Sequence, residues 1–174
     1  MMIYILGTDH MIQYGDDPRK SPIFYQYLDK LIRDLKISLI AEEVNTYNFQ
    51  NPDHRMIVKE LAVKHSLEYI MCEPEIDERS KYGLEELEKI VEYFNIVNSY
   101  RFTNEEKEPY IKLIDDHNDK RENIWYERIK NKTDKIVLLV VGKDHVSQYS
   151  PRKRGIDTVF KENNLEYKVL DIFI

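Results

Sequence analysis

The residues best suited to chemistry in this chain are written twice. "GTDHMIQY" begins at Gly7 and "GKDHVSQY" at Gly142, and each is followed by Pro-Arg-Lys, at Pro18-Arg19-Lys20 and Pro151-Arg152-Lys153. The copies agree at Gly7 and Gly142, Asp9 and Asp144, His10 and His145, Gln13 and Gln148, and Tyr14 and Tyr149, five identities in eight positions. A duplication kept only for packing would preserve apolar spacing first. These matched residues are instead polar types that carry protons, ligate metals or bind substrate.

Imidazole is a common ligand for zinc, manganese, cobalt and related ions, and a nearby carboxylate can ligate the ion or hold the ring in place. His10 and His145 are therefore the first candidates for a divalent-metal site. A third ligand is offered by Glu42 or Glu43, at the end of the apolar run Ile37 to Ala41. Consecutive strand residues point to opposite faces, so one of the pair faces the site, and the sequence does not say which. Asp9, Asp144 and Glu122 are candidate bases. Gln13, Tyr14, Gln148 and Tyr149, with the basic Arg19 and Arg152, are candidate substrate contacts.

Further along, "HNDKRENIWYERI" spaces His117, Arg121 and Trp125 four residues apart, on one face of a helix, with Glu122 and Tyr126 adjacent. Arg121 suits an anionic substrate or developing negative charge. Its plainer role is an ion pair beside a core Trp125. The only cysteine, Cys72, has no activating neighbour in sequence and reads as a small buried apolar residue.

Positioning these residues falls to five short apolar runs: Ile3 to Leu6, Ile37 to Ala41, Leu67 to Cys72, Ile136 to Val141 and Tyr167 to Phe173. Their near-continuous apolar character predicts strands covered on both faces, in a parallel or mixed sheet. Between them lie helical patterns. Pro22 to Leu35 repeats apolar residues at three-and-four spacing, and Asn51-Pro52 predicts a cap before the stripe Met56, Ile57, Leu61 and Ala62. Leu84 to Val97, Glu105 to Lys130 and a last helix after Pro151 complete the alternation of an α/β fold. Each copy of the motif follows a strand, and ligands in such sheets gather beyond the carboxyl ends of strands.

Composition bounds the function classes. At 174 residues the chain suits one domain spanning 1–174, and 42% apolar with 33% charged residues describes a soluble globular protein. A single cysteine excludes an intrachain disulfide framework and suits a reducing, cytoplasmic setting. The start of the chain lacks the basic region and long apolar core of a secretory signal, and no apolar run approaches the ~20 residues of a membrane span. A net charge of −6 argues against sequence-specific nucleic-acid binding, although basic residues gather after each motif. Tyr110, Tyr126 and the long polar helix suit a core or a partner chain equally, which leaves a homo-oligomer open.

The pieces "LGTDH", "LIAEE", "KRENIW" and "VVGKDH", in this order and spanning nearly the whole chain, resemble the TraB/TIKI superfamily, related to ChaN-like and erythromycin esterase-like proteins. "YIMCEPEIDERSKYGL" is also similar to an uncharacterised bacterial subgroup of it. The resemblance implies a pseudo-symmetric α/β fold with pseudo-twofold related motifs. It also implies a hydrolytic site in which His10, His145 and one of Glu42 or Glu43 hold a divalent metal or activate water, and in which Arg121 contacts substrate or transition state. The chain is short for the superfamily and lacks the secretory or anchoring context of the TIKI proteases, so peptide cleavage does not carry over.

The leading expectation is thus a metal-dependent hydrolase using manganese, cobalt or zinc on a small molecule or peptide, with the basic residues favouring an anionic one. Two alternatives stand beside it. One is a metal-free hydrolase using a histidine as base and Arg121 for the oxyanion. The other is a protein that captures a ligand without turning it over.

Overall fold

The computed structural model describes residues 1–49, 54–171 and 173. In chain order the elements are β1 (Met2–Thr8), α1 (His10–Gln13), α2 (Ser21–Asp34), β2 (Leu39–Glu42), α3 (Thr46–Phe49), α4 (Ile57–Lys64) and β3 (Glu68–Met71). After a 3-10 segment, Ile76–Tyr82, come α5 (Leu87–Asn98), α6 (Asn104–Ile129) and β4 (Ile136–Gly142). A 3-10 turn, Lys143–His145, then precedes α7 (Ile156–Glu162) and β5 (Tyr167–Val169).

The five strands form one sheet in the order β3-β2-β4-β1-β5, and every pairing is parallel. β4 reads Ile-Val-Leu-Leu-Val-Val-Gly because it is central and covered on both faces. Its side chains alternate accordingly. Val137, Leu139 and Val141 pack with Ile3, Ile5, Trp125, Ile129 and Phe160 on the face of α6 and α7. Leu138 and Val140 pack with Phe24, Leu28, Ile32, Ile57 and Leu61 on the face of α2 and α4. The stripe read between Pro22 and Leu35 is the one α2 buries, at Phe24, Leu28 and Ile32.

This alternation settles the two glutamates that close β2. Ala41 belongs to the α6 face and Ile40 to the α2 and α4 face, so Glu43 turns toward α6 and Glu42 away from it. The last predicted strand is shorter than read, with regular pairing over Tyr167–Val169 and a single parallel bridge from Phe173 to Thr8. The predicted cap at Asn51-Pro52 lies outside the described residues.

The long polar helix α6 starts at a capping box. The Thr103 hydroxyl accepts from the Glu106 N–H, and the Glu106 carboxylate accepts from the Thr103 N–H at 2.7 Å. Such a cap stabilises a helix by about 1 kcal/mol. The second half of α6 lies on the sheet, anchored by the fully buried Trp125 and Ile129. Its first half packs against α5, which buries Ile90 alone and leaves Leu87, Val91 and Phe94 exposed. Among the described residues no helix is long and apolar enough to cross a membrane.

Candidate functional site

Four adjacent strands deliver a polar residue to the same rim: His10 follows β1, His145 follows β4, Glu43 follows β2 and Glu73 follows β3. The Glu43 carboxylate is the meeting point. Its Oε1 lies 2.6 Å from an Arg121 Nη2, 3.3 Å from His145 Nε2 and 3.8 Å from His10 Nε2. Its Oε2 accepts the Gly142 N–H at 2.6 Å. A Cβ on Gly142 would stand 3.0 Å from His10 Nε2 and 3.3 Å from Glu43 Oε2, so glycine here allows a close approach.

Arg121 ties this floor together from α6. Its Nε donates to both oxygens of Glu73, at 2.9 and 3.1 Å, and one Nη1 reaches Asn118 Oδ1 and His145 Nε2 at 3.3 Å each. Glu73 also accepts from Arg79 Nη2 at 2.9 Å and from the Trp125 indole N–H at 3.3 Å. Burial alone would raise the Glu43 carboxyl. The opposing pull of His145, Arg121 and His10 is stronger and holds it well below its ordinary value. Burial likewise disfavours charge on Arg121, but Glu73 and Glu43 keep the guanidinium firmly protonated.

The two histidines meet Glu43 with the same nitrogen. His145 is buried, with Nδ1 at 2.8 Å from Glu122 Oε1, so Nδ1–H donates and Nε2 faces the site. There Nε2 lies between an acceptor, Glu43, and a donor, Arg121. Burial would lower this imidazole, but Glu43 and Glu122 outweigh it and raise its pKa. His10 has a side chain 44% exposed to solvent, stacks on Tyr14 at 5.6 Å between ring centroids, and places Nδ1 3.3 Å from Gln13 Oε1.

Above this floor opens a cavity of about 590 Å³. His10, Glu43, Arg121, Gly142 and His145 line its base, and Phe94, Val97, Ile111 and Ile114 of the α5–α6 pair form an apolar wall. Asp9, Lys143, Asp144 and Arg152 stand around it.

The structure thus brings together His10, His145, Glu43 and Arg121. Glu122 is buried behind His145, where it also accepts from Arg152, and Arg152 further bonds Asp119 at 2.5 Å. Asp9 caps α1 through its carboxylate and the Met11 N–H at 2.9 Å, and Asp144 is exposed at the cavity edge. Glu42, expected as an alternative ligand, lies behind the sheet rim, accepting from Gln13 at 2.5 Å and from the Tyr69 hydroxyl. Burial pushes its carboxyl up to about 7, against those two hydrogen bonds. Gln13 is fully buried, Tyr14 stacks between His10 and His54, and Tyr149 packs on the core. Gln148 and Arg19 are exposed and lie outside the cavity lining. Cys72 is buried, and burial pushes its thiol up to about 12.

Sequence reasoning passed over Glu73, Asn118 and the apolar wall. Glu73 carries the signal that found Glu43, a carboxylate just past a predicted strand. Asn118 stands three residues before Arg121 on the same helix. His117 shares the predicted face with Arg121 but points into the interior, where burial, then Arg121 and Arg79, push its pKa down to about 3.

A divalent ion would need both Nε2 lone pairs and a free Glu43 oxygen. Both Glu43 oxygens are engaged at 2.6 Å, and the Arg121 guanidinium, a permanent cation, stands 3.3 Å from His145 Nε2. Among the described residues no group of three His, Cys, Asp or Glu side chains has metal-binding spacing. As arranged, these side chains do not fit a divalent ion. No protein-family model, curated protein or solved structure matches this chain.

Proposed function

We propose that this chain is a metal-free hydrolase acting on a small molecule that joins an apolar body to an ester, amide or similar hydrolysable group. One observation carries this reading: Glu43, buried at the cavity floor, gathers Arg121 and the Nε2 atoms of both motif histidines within 2.6 to 3.8 Å. The hydrolytic chemistry is also what the TraB/TIKI resemblance implies.

His10 is the more exposed histidine and acts as base. Its Nε2 takes a proton from a water whose oxygen attacks the substrate carbonyl, and the Glu43 carboxylate 3.8 Å away stabilises the imidazolium that results. Arg121 supports the oxyanion. His145, held by Glu122 and raised in pKa, donates its Nε2 proton to the leaving group as the carbon–heteroatom bond breaks. The deprotonated His145 then accepts from Arg121 Nη1, already 3.3 Å away. Phe94, Val97, Ile111 and Ile114 hold the apolar body, and the cavity volume suits a drug-sized ligand. The single buried thiol accords with work in a reducing cytoplasm.

The metal-dependent reading draws on the same convergence of two histidines and a glutamate, and requires Arg121 to release Glu43. A panel of apolar esters, lactones and amides, incubated with exhaustively chelated protein, separates the readings. Turnover without metal, lost by ~10²–10⁴-fold in His10→Ala, supports the proposal. Turnover abolished by chelation and restored by manganese, cobalt or zinc overturns it in favour of the metal enzyme. Tight binding without product assigns a ligand-capturing protein.

A further inference from the structure

Gln13 has no access to the cavity, yet it touches the histidine that lines it. Its amide is fully buried and its two ends are committed: Nε2 donates to Glu42 Oε1 at 2.5 Å, and Oε1 lies 3.3 Å from His10 Nδ1. Glu42, itself fully buried, also accepts from the Tyr69 hydroxyl on its other oxygen. Above pH 7 Glu42 is ionised and can only accept, so there it dictates which end of the Gln13 amide faces it. The oxygen must then face His10. An oxygen can only accept, so His10 Nδ1 must carry the proton.

We infer that Gln13 is a positioning residue that, oriented by Glu42 and Tyr69 on the far side of the sheet rim, fixes His10 in the Nδ1–H tautomer and turns a bare Nε2 toward Glu43 and the cavity. The ring is held for this by the stacked Tyr14, whose plane lies within 16° of parallel, and by the close approach of Gly142. At the second motif Glu122 likewise accepts from His145 Nδ1, at 2.8 Å, which commits that nitrogen as the donor and turns Nε2 to the site. Two histidines of different surroundings thus present Nε2 to one carboxylate, each through an acceptor buried behind it. Such an acceptor behind a working imidazole fixes its tautomer and orientation. The tautomer is a property of the resting protein. Its catalytic meaning rests on the hydrolase reading.

The test is a long-range proton–nitrogen correlation spectrum of protein labelled with ¹⁵N-histidine, at alkaline pH where the imidazole is neutral, with His10 assigned through His10→Ala. The expected native pattern has the proton on Nδ1 and a bare Nε2. Gln13→Leu removes the acceptor and shifts His10 to Nε2–H or to a tautomer mixture. Gln13→Glu keeps an acceptor facing Nδ1, shares one proton with Glu42 and restores the native pattern. A native spectrum with the proton on Nε2 overturns the inference, even if neither variant folds. So does an unchanged Nδ1–H pattern in folded Gln13→Leu. None of these readings depends on turnover, so the tautomer and the hydrolase reading can fail separately.

Discussion

The two copies of the motif begin alike and end differently. After β1, the Asp9 carboxylate caps α1, which buries Ile12 and Gln13 and leaves His10 half exposed at the cavity floor. After β4, Asp144 is exposed and caps nothing, the chain makes one 3-10 turn, and Val146 returns to extended backbone. His145 is thereby buried and Gln148 is carried out to solvent. A tight contact holds the second path in place. A Cβ on Gly155 would lie 2.3 Å from the His145 carbonyl oxygen, so only glycine lets these two backbone segments meet. Identical residues therefore receive unlike partners: Gln13 behind His10, Glu122 behind His145. What the copies share is the nitrogen they turn toward Glu43.

Changes that strike both copies at once should have the largest effect. Arg121→Met leaves Glu43 and Glu73 buried without their common cation, and should lower stability by about 3–5 kcal/mol, read as the denaturant midpoint. Gly155→Ala should approach that cost while perturbing only the second copy, which the His145 ring resonances would report separately from those of His10.

The single histidine variants sharpen the contrast. His145→Ala removes a buried group and leaves buried Glu122 with Arg152 as its remaining partner, and should cost roughly 1–3 kcal/mol. His10→Ala, at a half-exposed position, should stay within about 1 kcal/mol. Equal losses in thermal or chemical denaturation would mean that the copies are structurally equivalent after all.

The pH dependence divides the same way. Glu42, behind the first copy, has a folded value near 7 against an ordinary 4.5, so the folded state binds more protons between them. Stability should fall as pH rises through that window, by roughly 3 kcal/mol in total, and level off above it. Glu42→Gln should flatten this slope. At the floor the two groups of the Glu43–His145 pair have opposite signs. The depressed Glu43 contributes stability above the ordinary carboxylate range, lost as pH falls through its folded value. The raised His145 contributes stability below the ordinary imidazole value, lost as pH rises through its folded value. Smallest of all, Gln148→Ala should change stability by less than about 0.5 kcal/mol, because the second glutamine is exposed.

Much of the frame could be read from the chain. The run Ile136 to Val141 is apolar at every position because it is the central strand, and its neighbours were marked by similar runs. The repeat pointed to one rim of the sheet, since both histidines follow strands that pair with each other. Less legible was whatever depends on which helix covers which face. Alternation required Glu42 and Glu43 to diverge, but only α6 on the Ala41 face makes Glu43 the inner one. The repeat also suggested equal tasks for Gln13 and Gln148, and the difference arises from a cap made by Asp9 and not by Asp144. The apolar wall of the cavity looked like ordinary helix stripes. Nothing in their spacing said that Phe94 and Ile111 stand beside the polar floor.

The most direct test of a shared floor is a double-mutant cycle on turnover of a substrate found in the ester and amide panel, across His10→Ala, His145→Ala and the double variant. Groups acting as one unit on a single reacting centre are strongly non-additive. The double variant should lose about as much kcat/KM as the worse single variant. Losses that multiply would mean that the two copies act independently, which contradicts a single site assembled on Glu43.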